Sequence, residues 1–177
     1  MLCTSLAVFR QFLRREGTKS VLDAIDVAIL AELQKDARLP NKDLAARVNI
    51  APSTCLVRHR ALRERGVLKG YRAEVDLGAL GRPLQAVIAV RVRPHTRAVV
   101  RPFLDYVMEL PETISVSHVA GPDDFLVHVA VADAVHLQQL VLDSFTSRRE
   151  VAQLHTNLLF EHRVKARIPP TAQARSD

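Results

Sequence analysis

Between Leu22 and Arg72 the chain reads LDAIDVAILAELQKDARLPNKDLAARVNIAPSTCLVRHRALRERGVLKGYR, and no other stretch restricts the fold as far. It is punctuated as three short helices. Asp23 is a good capping residue with Asp26 in the first turn behind it, where a helix N-terminus favours negative charge. Leu22, Ile25, Ile29, Leu30 and Leu33 then recur at helical spacing. Arg38-Leu39-Pro40 breaks the stripe, and Asn41 is the expected cap of a second helix that turns Leu44, Ala45 and Val48 inward. Asn49-Ile50-Ala51 is the turn. Pro52 stands at the first position of a third helix, where its missing N–H costs nothing. Cys55, His59 and Leu62 mark the inward stripe of that helix, and Gly66 ends it. Val67 to Ala73 is predicted as a short extended segment. Three helices in this order, with a basic third, make the plan of a helix-turn-helix DNA reader.

The charge distribution agrees with that plan. Of the net +6, residues 1–19 carry four Lys/Arg against one Asp/Glu and residues 20–72 carry ten against six. Residues 73–177 carry eleven against twelve. A basic module joined to a near-neutral one suggests a polyanion reader attached to something else, although a solvated basic face gives the same count. With 48% apolar and 25% charged residues the chain has an ordinary globular composition, and no apolar run reaches the length of a membrane span. The two cysteines, Cys3 and Cys55, cannot build a disulfide framework. Leu2 to Phe9 is apolar, but Arg10, Arg14 and Arg15 follow it rather than precede it, unlike a secretory signal. The expected location is the cytoplasm, with residues 1–20 a basic N-terminal extension.

Past residue 83 the period changes. Leu84 to Arg93 is a β-branched run of strand length, closed by Pro94 to Pro102, which starts a helix with Val99, Phe103, Val107 and Leu110 on one face. Thr113 to Ala120 reads as a strand, Gly121-Pro122-Asp123-Asp124 as a turn and Phe125 to Ala132 as the next strand. Asp133 caps a helix carrying Val135, Leu137, Leu140, Val141 and Phe145, and Val151 to Glu161 is the last strand. The order is βαββαβ, so the fold class is α+β with a ferredoxin-like second domain. Val87 and Ala89 on the first strand, and Leu126 and Ala130 on the third, put apolar residues on the face opposite the helices. Such a face implies packing on another copy of the chain. The expected domains are 21–72 for DNA binding, a linker over 73–83, a ligand-binding and dimerisation domain over 84–165, and a flexible tail over 166–177.

The stretches LDAIDVAILAELQKDAR, NKDLAARV, PSTCLVRHRALRERGVLKGYRA and the hairpin AGPDDFLV together resemble the Lrp/AsnC (feast/famine) family of transcriptional regulators. The resemblance covers about residues 20–165. It implies a winged helix-turn-helix and a RAM-type C-terminal domain that forms homodimers, often assembles into tetramers or octamers, and binds amino acids as effectors. On the third helix, Ser53 and Thr54 lie at the N-terminus, where hydroxyls and free N–H groups suit phosphates and base edges. Val57, Arg58, Arg60 and Ala61 were expected to share the outward surface, with Arg58 and Arg60 as long donors toward guanine edges or phosphates. Lys42, Arg63 and Lys69 would meet the DNA backbone. For the effector, the resemblance points to Gly121, Asp123, Asp124 and Phe125 in the hairpin and to Leu154 and Thr156 on the last strand. There an amino acid needs N–H donors for its carboxylate and an acceptor for its ammonium.

Two departures from the family pattern stand out in the helix-turn-helix. Ala51 precedes Pro52 where relatives often have Ser, and the lost cap should cost on the order of 1 kcal/mol. His59 occupies a position that is usually apolar, and is read as a satisfied core residue or as a phosphate contact. In the hairpin, Pro122, Asp123 and Phe125 replace the common aromatic pattern, while Leu154 replaces a common Thr, making the turn more acidic and the wall more apolar. Asp123 and Asp124 are also ordinary turn residues. Seven histidines invite a metal reading, but no His-x3-His pair on a helix and no Cys-x2-Cys occurs, so no metal and no cofactor beyond an amino-acid effector is expected. No Gly-rich phosphate loop or local nucleophile–base pair points to an enzyme. Two other readings remain: a metabolic sensing module without DNA contact, against which the basic third helix argues, and an architectural DNA-compacting protein with steep salt dependence and little sequence preference.

Overall fold

In the computed structural model residues 22–171 are described, and the basic extension expected over residues 1–20 lies outside them. The chain divides after Ala73 into two units: residues up to 73 together with the segment from Arg163 onward, and Glu74–His162.

The first unit is the three-helix module. Helix α1 (Ala24–Lys35) is capped by Asp23, whose carboxylate accepts the Asp26 N–H at 2.8 Å. Helix α2 (Asn41–Arg47) begins one residue earlier than its expected cap: Pro40 holds the cap position, and Asn41, already helical, donates its side-chain amide to the Pro52 carbonyl at 2.8 Å. That bond ties α2 to the first residue of α3 (Pro52–Glu64). Asn49 takes φ 55° in the turn, with its N–H and that of Ile50 returning to the Ala46 and Ala45 carbonyls. Asn is among the few non-glycine residues that adopt this conformation readily. At the end of α3, Gly66 at φ 69° and Val67 donate to the Arg63 and Leu62 carbonyls, a Schellman closure that places Val67 against the core. The core is Leu22, Ile29, Leu33, Leu44, Ala45, Cys55 and Leu62, nearly the predicted stripes. The extended segment expected over Val67–Ala73 forms no strand. The Val67 and Leu68 N–H groups on the Leu62 carbonyl and the Tyr71 hydroxyl on His59 hold the chain there, not ladder pairing.

The flexible tail expected from residue 166 takes a different course in its described part. The Ile168 N–H donates to the Gln34 side-chain oxygen at 2.8 Å, and Arg167–Pro170 line a cleft of about 240 Å³ with Val27, Leu30 and Ala31 of α1. Pro169-Pro170 is stiff and the outer face of α1 is apolar, so the segment finds a backbone bond and an apolar wall without a periodic pattern of its own.

The second unit has the predicted order: β1 (Leu84–Val92), α4 (Arg97–Glu109), β2 (Thr113–His118), β3 (Phe125–Val131), α5 (Ala134–Leu140) and β4 (Val151–Leu158), with a π-helical turn over Val141–Thr146 continuing α5. Strand order is β2-β3-β1-β4 with every pairing antiparallel. Pro102 lies inside α4 rather than before it. Asp133 caps α5 through the His136 N–H, as expected. One sheet face carries Ala86, Ile88, Val90, Val92, Phe125, Val127, Val129 and Val131 into a core closed by Phe103, Val107, Leu137, Leu140 and Phe145. Val135, by contrast, is exposed.

The other face is less uniformly apolar than strand periodicity suggested. Directly paired residues share a face, and the register sets Val87 beside His128 and Asn157, and Ala89 beside Leu126 and His155. An apolar centre is therefore bordered by polar edge strands. Runs on β1 and β3 predicted the centre, but β2 and β4 contribute Ser115, Ser117, Gln153, His155 and Asn157.

Candidate functional site

Cys55 and Leu62 are fully buried and fix the inward side of α3. With 100° per residue the opposite side carries Ser53, Val57, Arg60 and Glu64, all exposed, and Leu56 beside them. Ser53, Thr54, Val57 and Arg58 together line an open concavity at the start of this helix. Ala51 occupies the cap position with no side-chain hydrogen bond, so the N–H groups of the first turn stay available, as the Ser-to-Ala departure implied. Arg63 and Lys69 are exposed near the end of α3, and Lys42 is exposed at the start of α2. Leu56 and Glu64 were missed by sequence reasoning, although the spacing 53-57-60-64 would have revealed Glu64.

Arg58 borders that concavity from the flank, and its guanidinium is turned away from the outward row. Its guanidinium meets Asp23 at 2.5 Å and Asp26 at 2.9 Å, and Arg65 approaches the second oxygen of Asp26 at 3.4 Å. Asp26 is only 5% exposed. The expected direct donor is thus turned toward α1, because Arg58 follows Cys55 by one turn and falls on the flank beside the buried stripe. The Asp26 N–H foremost, and the Arg58 guanidinium after it, hold the Asp23 carboxyl below its ordinary range. Asp23 and Asp26 in turn raise Arg58.

His59 is half-buried, and its Nε2 lies 2.7 Å from the Tyr71 hydroxyl. Burial, with Arg63 nearby, lowers its pKa. This matches the satisfied-residue reading.

The hairpin residues divide by environment. Asp124 accepts the Val92 N–H at 2.8 Å, faces Arg93 at 3.5 Å, and meets His95 Nδ1 at 3.0 Å through its other oxygen. Its backbone N–H donates to the Val90 carbonyl, and its carbonyl accepts the Val119 N–H. One carboxylate oxygen therefore closes the end of β1 and the other meets His95 just beyond it, which the turn position alone could not reveal. Phe125 is fully buried, stacked with His118 at 5.0 Å and tilted against Phe103 at 5.0 Å, so it is a core residue and not an open wall. Gly121, at φ 152°, and Pro122 are exposed in the turn, and Asp123 is half-buried like Asp124. Register places Leu154, Val90, Phe125 and His118 in one row on the helix-covered face, and Thr156, Ile88, Val127 and Val116 in the next. Leu154 is half-buried and Thr156 exposed. Among the described residues no group of three or more potential ligands could hold a metal ion, and no helix is long and apolar enough to cross a membrane. His118 and His128 are out of register, His118 pairing with Phe125 and His128 with Ser115.

The fold is thus a three-helix module with an exposed helix face, joined in sequence to an antiparallel α+β unit. The family model for winged helix-turn-helix DNA-binding matches residues 22–69, and that for the Lrp/AsnC ligand binding domain matches residues 85–169. The HTH-type transcriptional regulator AldR of Mycolicibacterium smegmatis is 42% identical over 141 residues, 80% of this chain and 82% of that protein. The leucine-responsive regulatory protein of Rhizobium meliloti is 36% identical over 137 residues, 77% of this chain and 88% of that protein. A transcriptional regulator of Neisseria meningitidis, solved as a complex with L-Met, superposes with a TM-score of 0.74 at 30% identity, covering 80% of this chain and 91% of that one. The chain belongs to the Lrp/AsnC family of transcriptional regulators.

Proposed function

We propose that the protein is a local, sequence-specific regulator that binds duplex DNA as a homodimer and changes its binding or assembly when an amino acid occupies the second unit. The observation that carries this reading is the exposed row Ser53, Val57 and Arg60 on α3, beginning at a helix N-terminus that has no side-chain cap. Ser53 and Thr54 offer short donors there, Arg60 a long one, and Lys42, Arg63 and Lys69 supply charge toward the phosphates. On the sheet face opposite the helices Leu126 is exposed and Val87 half-buried beside the buried Ala89 and Ala130, which supports a second copy packing there, and tetramers or octamers would build on that pair. Two reader helices related by a two-fold axis call for a pseudo-palindromic target with half-sites in successive major grooves.

The effector reading rests on the L-Met complex of the neisserial relative and on the hairpin. Exposed Gly121 and half-buried Asp123 offer backbone N–H groups and a carboxylate, Leu154 and Thr156 offer an apolar and a hydroxyl contact, and Asp124 with Phe125 supports the turn from within. Occupancy of such a site alters DNA affinity only through a difference between two assembly states. The cytoplasm remains the expected location.

The test is fluorescence anisotropy of duplex from the gene's own upstream region, titrated with protein against scrambled competitor, with and without each of the twenty amino acids. Competitor-resistant binding shifted by one amino acid is the expected result. Equal displacement by scrambled DNA with no amino-acid effect would replace the local regulator by an architectural DNA-binding protein.

A further inference from the structure

We propose that Arg58 is a positioning residue and not a DNA contact: it clamps the reader helix α3 to the N-terminus of α1 through Asp26 and Asp23, and so sets the angle at which the outward row of α3 meets the duplex. The inference rests on the DNA-reading role of α3 and assigns a different task to one of its arginines.

The clamp is a closed network. Asp26 is 5% exposed, and a carboxylate so placed is costly unless its oxygens are met by charge or N–H. Arg58 meets one oxygen at 2.9 Å and Arg65 the other at 3.4 Å. Arg58 also reaches Asp23 at 2.5 Å, and Asp23 in turn caps α1 by accepting the Asp26 N–H at 2.8 Å. Helix cap, first turn and reader helix are thereby held by the same atoms. Arg58 and Arg65 are seven residues apart, hence on one flank, whereas Ser53, Val57 and Arg60 fall on the opposite side. Extending Arg58 to a phosphate would trade a pair with a buried carboxylate for one in water, and would leave Asp26 with its longer contact alone. Two of the basic side chains of this region are consequently neutralised within the unit, and the charge offered to DNA from α3 comes from Arg60 and Arg63.

The test uses the full-length protein as wild type, Arg58→Gln, Asp26→Asn and the double variant. The probes are the duplex the wild type enriches from a random-sequence library and a shuffled duplex of equal composition, each titrated across a salt series. With Arg58 as a clamp, Arg58→Gln weakens the enriched duplex by roughly tenfold or more, barely affects the shuffled one, and leaves the log–log salt slope unchanged. Asp26→Asn, which removes one of the two carboxylates that hold Arg58 and leaves the arginine charge in place, weakens the enriched duplex in the same sense, and the double variant is no worse than the worse single. A slope reduced by about one in Arg58→Gln, with both duplexes weakened alike, overturns the proposal. So does an Asp26→Asn variant that binds as well as or better than wild type. If Arg58→Gln fails to fold by circular dichroism, Asp26→Asn alone decides on that last criterion. A wild type that enriches no sequence refutes specific reading by α3, and the salt slope of Arg58→Gln still decides the task of Arg58.

Discussion

The two units hold themselves together by different means. The ligand-binding unit encloses Phe103, Phe125 and Phe145 with Val90 and Val92 of β1 and Val127, Val129 and Val131 of β3, all without exposure. Among its described residues the DNA-binding unit has no buried aromatic, and the largest fully buried side chains there are Ile29, Leu44 and Leu62. It supplements them with polar ties: Asp26 with Arg58 and Arg65, Asn41 with the Pro52 carbonyl, His59 with Tyr71. An apolar core is insensitive to orientation, whereas ion pairs and hydrogen bonds fix angles. A unit that must present a helix to a groove gains from the second kind of bond. A unit that serves as platform gains from the first.

The largest expected effect tests the apolar side. Phe103→Ala should destabilise the ligand-binding unit by about 3–5 kcal/mol, since the surrounding sheet and helices cannot collapse fully onto the cavity. The chain has no Trp, so hydrogen exchange resolved by peptide is the suitable readout, with residues 84–158 losing protection first. Loss of protection spread evenly over both units would show that they do not unfold independently and would break the comparison.

Next comes the polar side. Asp26→Asn should cost the DNA-binding unit about 2 kcal/mol, less than a fully buried pair because the two guanidinium groups reach water. The deficit should shrink at high salt, where the wild-type pairs are themselves screened. Guanidinium-free thermal melts at two ionic strengths measure this, and a deficit independent of salt would assign the loss to packing. Ala51→Ser follows, and should stabilise the same unit by about 1 kcal/mol by capping α3. A null result would mean that the first-turn N–H groups are already satisfied by water.

How much of this was legible depends on the range of the interaction. Caps at Asp23 and Asp133, the turns at Asn49 and Gly66, and the βαββαβ order along the chain follow from local chemistry and period, and they were readable. The inward stripe of α3 was readable for the same reason. The direction of Arg58 was not, because its partners lie more than thirty positions away on α1 and nothing in the spacing of α3 encodes them. Asp124 and Phe125 failed similarly: a turn residue and its neighbour look exposed until the register shows β1 beside them. The docking of Arg167–Pro170 on α1 has no periodic signature at all.

The smallest effect expected is in pH, and it separates the units by which imidazole is replaced. Burial foremost, then His162, lowers the pKa of His128 below 6.5, as burial and Arg63 do for His59. A histidine lowered in the folded state takes up its proton first in the unfolded chain, so folding loses stability as pH falls through 6.5 toward the lower folded value, and loses none above it. Asp23 acts in a more acidic window: its carboxyl is lowered from 3.8, so its contribution is present above that value and disappears as pH falls below it. Between pH 7 and 5 the histidines should therefore dominate, modestly, since both rings are only partly buried. His128→Asn should flatten the pH response of exchange in β1 and β3 while leaving α1 and α3 unchanged. His59→Gln should do the reverse. If either substitution flattened both regions, acid would be acting on a contact shared by the units, and the division into an apolar platform and a polar reader would need that contact added to it.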